Sequence, residues 1–169
     1  MKTRSILWIA LAGFFLVMLP SCGRKAEAAA DYNDKIIARQ LVVIQAFELM
    51  DSTLRDTAAS VDRIDYAYLN LNTKIKEAKL ALDSIGSFQQ DPSLQLSAKA
   101  LFVDYEMLIE NEYRTLSDIH RIDIELVTSA VADSANAAAQ RVLEKTKDIQ
   151  EKFVKAQDEF GKKYNLIFE

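Results

Sequence analysis

Few groups in this chain could carry chemistry. It has one thiol, Cys22, and one imidazole, His120, against 25 carboxylates. Zinc sites and base-activated nucleophiles draw on His or Cys together with further ligands. His120 has no such companion, so it reads as a solvent-facing residue near a helix end and offers no catalytic or metal site. The carboxylates gather most closely at Glu106, Glu110 and Glu112. Glu106 and Glu110 are four apart and share a helix face. Glu112 points elsewhere, and the Glu-x-x-His motifs of a di-metal bundle are missing. Glu106 and Glu110 therefore read as a solvated acidic face. Glu112 differs, because the run Asn111-Glu112-Tyr113 falls where an apolar stripe passes. Glu112 and Tyr113 are the candidate binding pair; the structural alternative has Glu112 at the core edge, paired with a lysine or a tyrosine hydroxyl. Tyr66, Tyr68 and Tyr105 sit at helical spacing and read as packing residues. Hydroxyls following aspartate recur in Asp51-Ser52, Asp56-Thr57, Asp83-Ser84 and Asp133-Ser134. These residue types also cap helix ends.

The setting of the thiol defines its chemistry. Lys2 and Arg4 are followed by the nearly unbroken apolar run Ile6 to Leu19, then Pro20, Ser21 and Cys22. A cationic start, a short apolar core and a small residue before the cut make a secretory leader. The run is shorter than the ~20 residues a spanning helix needs. Leu19-Pro20-Ser21-Cys22 resembles a bacterial lipobox. The resemblance implies cleavage after Ser21, a diacylglycerol on the Cys22 thiol and a further acyl chain, such as palmitate, on the new amine. An exported lone thiol could otherwise stay free or pair between chains.

Removing residues 1–21 leaves 148 of the 169 residues, one domain's worth. The leader carries two cations and no acid, so the remainder has 19 Lys+Arg against 25 Asp+Glu, a formal net of −6. That balance argues against a nucleic-acid partner, which needs a clustered basic face, and against a polybasic membrane patch. The mature chain is poor in glycine and keeps only Pro92 of the prolines, while Ala, Leu, Glu and Lys abound. Such a composition favours helix.

Four helices are expected to follow a short tether, residues 22–30. The first starts at Asp31, with Ile37, Leu41, Ile44, Phe47 and Leu54 as its inner stripe. The turn after it is placed in Asp51–Asp62. The second has the cleanest period, Ile64, Tyr68, Leu71, Ile75, Ala78, Leu82 and Ile85, with Gly86 as its C-terminal cap. Asp91 caps the third, with Pro92 in its first turn. That helix carries Ala98, Leu101, Phe102, Tyr105, Ile109, Tyr113, Leu116 and Ile119. Its end falls between His120 and Thr128, with Asp123 or Thr128–Ser129 as the turn. The fourth carries Val142, Thr146, Ile149, Phe153, Ala156 and Phe160, and Lys162 and Lys163 complement its dipole. The expected fold is all-α, a four-helix up-down-up-down bundle over residues 31–169, preceded by a lipoprotein signal peptide.

Four runs resemble a family of uncharacterised bacterial surface lipoproteins with a helical-bundle domain. They are Asp31-Tyr32-Asn33-Asp34-Lys35-Ile36, Asp91-Pro92-Ser93-Leu94, Asn111-Glu112-Tyr113 and Gln157-Asp158-Glu159-Phe160-Gly161-Lys162-Lys163-Tyr164. The Asp-Ser/Thr pattern is similar to the O-glycosylation sequon of some Gram-negative gut and oral bacteria, and that resemblance makes Ser52, Thr57, Ser84 and Ser134 candidate acceptors of an O-linked sugar. The family resemblance implies a bundle in the cell envelope and carries over no established activity; the expected location is the outer membrane or cell surface of a Gram-negative bacterium, through the lipid anchor, and no cofactor is expected. The expected function is a non-enzymatic interaction or structural module that touches the membrane through its lipid and engages an envelope protein partner. The alternative is a small-ligand-binding bundle with a cavity between helices two and three.

The thiol assignment is tested directly. Cys22→Ser should abolish incorporation of labelled palmitate and leave the precursor uncut. Continued labelling or normal processing of the variant refutes lipidation at this residue.

Overall fold

The computed structural model describes residues 23–166; the expected leader and Cys22 lie outside them. The elements are α1 (Gly23–Arg55), α2 (Val61–Ile85), α3 (Ser93–Leu108), a π turn (Ile109–Tyr113), α4 (Arg114–His120), a 3-10 turn (Ile124–Leu126) and α5 (Ser129–Tyr164). The backbone stays helical from α3 through the π turn into α4, so these three form one rod. The fold is an all-α bundle of four helical rods.

Side-chain contacts fix how the rods lie. Tyr32 near the start of α1 donates a hydrogen bond to the Gly86 carbonyl just past α2. Asp91, before α3, accepts from Lys163 and Tyr164 at the end of α5. These groups form one pole. At the other pole Tyr113 donates to Asp51 of α1, and Arg121 pairs with Asp65 of α2. Consecutive rods therefore run in opposite directions.

One apolar cluster fills the space between them, and all four rods contribute to it. Ile64, Leu71, Ile75, Ala78 and Leu82 of α2 are buried at the expected spacing. So are Val142, Ile149, Phe153 and Phe160 of α5. Gly86 ends α2 at φ +69, its N–H bonded to the Leu82 carbonyl. That left-handed φ is where glycine lacks a steric penalty. The tight turn that follows exchanges hydrogen bonds between Phe88 and Asp91, and holds Gln89 and Gln90 at φ 49 and 68. Neither is the Asn or Gly such a turn prefers, so each costs about 1 kcal/mol or more, offset by the burial of Phe88.

Several boundaries differ from the sequence reading. Gly23–Ala30, expected as a flexible tether, forms the first turns of α1, and Ala29 is fully buried. The inner line of α1 runs Ala29, Ile36, Val43 and Met50, a strict heptad. The expected line Ile37, Leu41, Ile44 is rotated away by about one residue; Leu41 is 44% exposed and Ile37 half-buried. Leu41 to Ile44 is an unbroken apolar run, so spacing alone could not choose between faces. The first turn is Asp56–Ser60, shorter than the interval expected. Ser60 caps α2 by accepting from the Arg63 N–H. Pro92, rather than Asp91, holds the cap position of α3, yet Asp91 still accepts from the Ser93 N–H at 3.0 Å. Both proposed turn residues before α5 are used. Asp123 caps the 3-10 turn and Thr128 caps α5, so the alanine-rich stretch from Ser129 is already helix.

The π turn has a local cause. Widening a helix by one residue strains the regular bonding pattern. Here side chains take up the carbonyls around it. Asn111 Nδ2 donates to the Met107 carbonyl, Thr115 Oγ1 to that of Asn111, and Ser117 Oγ to that of Tyr113. The widened turn places both Glu112 and Tyr113 inward.

The register of α1 is testable. Ile36→Ala should cost about 2–5 kcal/mol in urea unfolding, whereas Leu41→Ala should change stability by no more than about 0.5 kcal/mol. Equal effects would mean that the inner face of α1 is misassigned.

Candidate functional site

The three carboxylates that looked alike in sequence meet three different fates. Glu106 pairs with Lys79 of α2. Glu110 is exposed. Glu112 is buried, its side chain only 6% accessible, and it accepts from Arg141 Nε and Lys145 Nζ, each at 2.7 Å. Arg141 and Lys145 are four apart on α5, so both reach one carboxylate from one face. Burial pushes the Glu112 carboxyl up. The two cation hydrogen bonds and their charges outweigh it and hold the group below its ordinary value. Glu112 is therefore an ion held by two partners, charged and acceptor-only. A proton-transferring group would need the opposite setting.

Tyr113 is oriented separately. Its hydroxyl donates to Asp51 Oδ1 at 2.7 Å and its ring packs on Phe47. Burial first, then the Asp51 charge, push its pKa far up, so it stays a neutral donor. Glu112 and Tyr113 are neighbours in sequence but face different rods, α5 and α1. They do not converge on a common space. Tyr105 packs edge-on against Phe47 at 4.9 Å, while Tyr66 is exposed, so these tyrosines form no shared stacking platform. His120 ends α4 half-buried. Among the described residues no three His, Cys, Asp or Glu side chains gather as a metal-binding group.

The structure joins residues that the sequence reading treated only as helix ends. Asp91, its side chain 10% accessible, accepts from Lys163 Nζ at 2.8 Å and Tyr164 Oη at 3.0 Å with one oxygen, and from the Ser93 N–H with the other. Lys163 is the chief cause of its strongly lowered pKa; burial opposes this and the remaining donors reinforce it. Around it lie Tyr32, Phe88, Phe160 and Tyr164, with ring centroids 4.7–5.7 Å apart. Gln157 Nε2 donates to Asn33 Oδ1 nearby. Three of the four runs that carry the lipoprotein resemblance thus meet at one pole, and the fourth is the π turn. Their shared physical role is joining α5 to the other rods.

Three of the four aspartates in the Asp-Ser/Thr pairs have partners within the bundle. Ser52, Thr57, Ser84 and Ser134 are all exposed, but only Thr57 lies outside a helix. Asp51 receives the Tyr113 hydroxyl, Asp56 binds Arg63 and the Ala58 N–H, and Asp83 pairs with Lys99.

The pole opposite the start of α1 carries a feature that periodicity did not reveal. Every residue from Arg121 to Ala130 is exposed. Ile122, Ile124, Leu126 and Val127 are among them, Ile124 at 82% and Leu126 at 69%. Large apolar side chains are thus concentrated in a short loop outside the core.

No family model matches the chain, and no curated protein or solved structure shows significant similarity to it.

The Glu112 clamp has a signed pH signature. Its lowered carboxyl adds stability that is complete above the unfolded glutamate range, about pH 4.3, and is lost as pH falls through the folded value. Glu112→Gln should therefore lower stability by about 1–3 kcal/mol at neutral pH, and the gap to wild type should narrow as the solution is acidified. A constant gap across that range would show that the ion pairs contribute nothing.

Proposed function

We propose that this chain is a lipid-anchored protein of a Gram-negative cell envelope whose bundle is a non-enzymatic interaction module. In this reading the chain is cut between Ser21 and Cys22 and Cys22 is acylated, and two or three acyl chains give the stable anchoring that one cannot. The outer membrane or cell surface is the proposed location and an envelope protein the proposed partner. The observation that carries the reading is the division of the bundle's two poles. Gly23, which follows the proposed lipid site directly, starts α1 at one pole. The exposed apolar loop stands at the other, about 50 Å away along the 36 residues of α5. A lipid at one end and a contact surface at the other suit a spacer that presents a face away from the membrane.

The state of the candidate binding pair supports the same reading. Glu112 and Tyr113 already have partners within the bundle. A small-ligand bundle, the alternative, would place its cavity between α2 and α3. Both helices turn fully buried residues inward there, Ile75 and Leu82 from one, Ala98 and Phe102 from the other.

A photo-crosslinking residue at Ile124 of the full chain, activated in intact cells, should give a discrete adduct with an envelope protein. The same residue at Leu80, exposed on α2, should give none. Adducts at both positions, or at neither, refute the far-pole module.

A further inference from the structure

The loop between α4 and α5 is more specific than an apolar spot. Its sequence alternates, Ile122-Asp123-Ile124-Glu125-Leu126. The helix ends beside it add further groups of both kinds. Arg121 pairs with Asp65, which brings α2 against the loop. Val61, one turn nearer the pole on the same face of α2, is 43% exposed. Asp62 and Asp133 are exposed on the adjoining turns of α2 and α5.

Charge at this pole is unbalanced in one direction. Arg63 is bound to Asp56, and Arg121 to Asp65 and Asp118, which leaves Arg55, exposed in the last turn of α1, against four unpaired acids. Asp62, Asp123, Glu125 and Asp133 have no ion-pair partner among the described residues. The surface thus combines exposed branched apolar side chains with unpaired carboxylates interleaved among them. Like charge disfavours a second copy of the same pole, and it disfavours an anionic lipid surface. What complements both features is a segment whose lysines or arginines alternate with apolar residues.

We infer that this pole docks a cationic amphipathic segment of the partner, with Ile124 and Leu126 as its apolar contacts and Asp123 and Glu125 as its charge-matching groups. The inference rests on the interaction-module reading above and adds the partner's chemistry. Apolar contact supplies the adhesion, and the carboxylates supply orientation, selectivity and a faster encounter.

The test uses the full chain in phosphatidylcholine nanodiscs, with empty nanodiscs as reference. The probe is a labelled synthetic peptide of alternating Leu and Lys, and its counterpart carries Glu in place of Lys. The Lys peptide should bind in excess of the reference, and the Glu peptide should not. The double variant Ile124→Ser/Leu126→Ser should weaken binding about tenfold or more. Asp123→Asn/Glu125→Gln should weaken it by a similar factor and flatten its dependence on salt between about 0.05 and 0.5 M. Asparagine keeps the cap at 123, so unchanged helicity verifies that this variant is folded. Wild-type affinity in either variant, or equal binding of the Glu peptide, overturns the proposal. So does added phosphatidylcholine vesicle binding that depends on Ile124 and Leu126 while peptide binding does not, which assigns the loop to lipid. If a crosslinker at Ile124 captures an envelope protein but the Lys peptide fails to bind, the interaction module stands and the inferred charge match falls.

Discussion

Two shielded carboxylates, buried Glu112 and the partly buried Asp91, set the position of α5, and the bundle depends on them. Asp91 holds Lys163 and Tyr164 at one end of the α3 rod, and Glu112 holds Arg141 and Lys145 toward the other. The two acids are separated by about 30 Å of helix, and their partners on α5 are separated by nearly the same length. An antiparallel helix tied at two such points has one register. Sliding α5 by a turn would take Lys163 and Tyr164 away from Asp91 and leave Glu112 with one of its two cations, which costs more than any single apolar contact it could regain.

The rest of the α5 interface explains why ties of this kind are needed. Its apolar stripe is narrow, a single line from Val142 through Ile149 and Phe153 to Phe160. Smooth apolar stripes of this sort tolerate sliding because one large side chain substitutes for another. Polar contacts do not. Asn33 with Gln157, Asp91 with Tyr164 and Glu112 with Arg141 each fit only one partner geometry. The α1–α2 pair is built differently. Ile36, Val43 and Met50 supply an apolar line on α1, and Ile64, Leu71 and Ile75 supply one on α2, so burial carries most of its stabilisation. One half of the bundle is thus fixed mainly by apolar packing and the other by directional polar contacts over a thinner core.

This division also accounts for what could be read in the sequence. α2 and α5 were legible because each has one apolar face and a contrasting polar one. Gly86 was legible because a left-handed cap demands it. α1 was not. Its run Leu41-Val42-Val43-Ile44 is apolar all the way round the helix, and only the neighbouring rods decide that Val43 is inside and Leu41 outside. Glu112 could be singled out as a charge within an apolar stripe, and the lysine pairing proposed as its structural alternative is present in Lys145. The second cation, Arg141, lies 29 residues away, and no local pattern announces it. Asp91 was legible only as a helix cap, because its other partners lie 72 and 73 residues further on. The loop after α4 was read merely as a turn. Alternating apolar and acidic residues have no helical period, so periodicity gave no sign that its isoleucines face solvent.

An exposed apolar loop is a hazard for any protein, and the composition of this one limits the hazard. Isolated branched side chains at a pole would favour pairing between copies. Interleaved carboxylates oppose that, because bringing two such loops together also brings four or more like charges into a desolvating contact. The opposition is selective. A surface of opposite charge removes the repulsion and leaves the apolar attraction intact, so the same residues that keep copies apart admit a cationic partner. The arginines of this pole fit the same logic. Arg63 and Arg121, both exposed, are paired with Asp56 and Asp65, so neither neutralises the carboxylates of the loop. Structural ion pairs and unpaired surface acids thereby divide the charge of one pole between holding the bundle together and defining what can approach it.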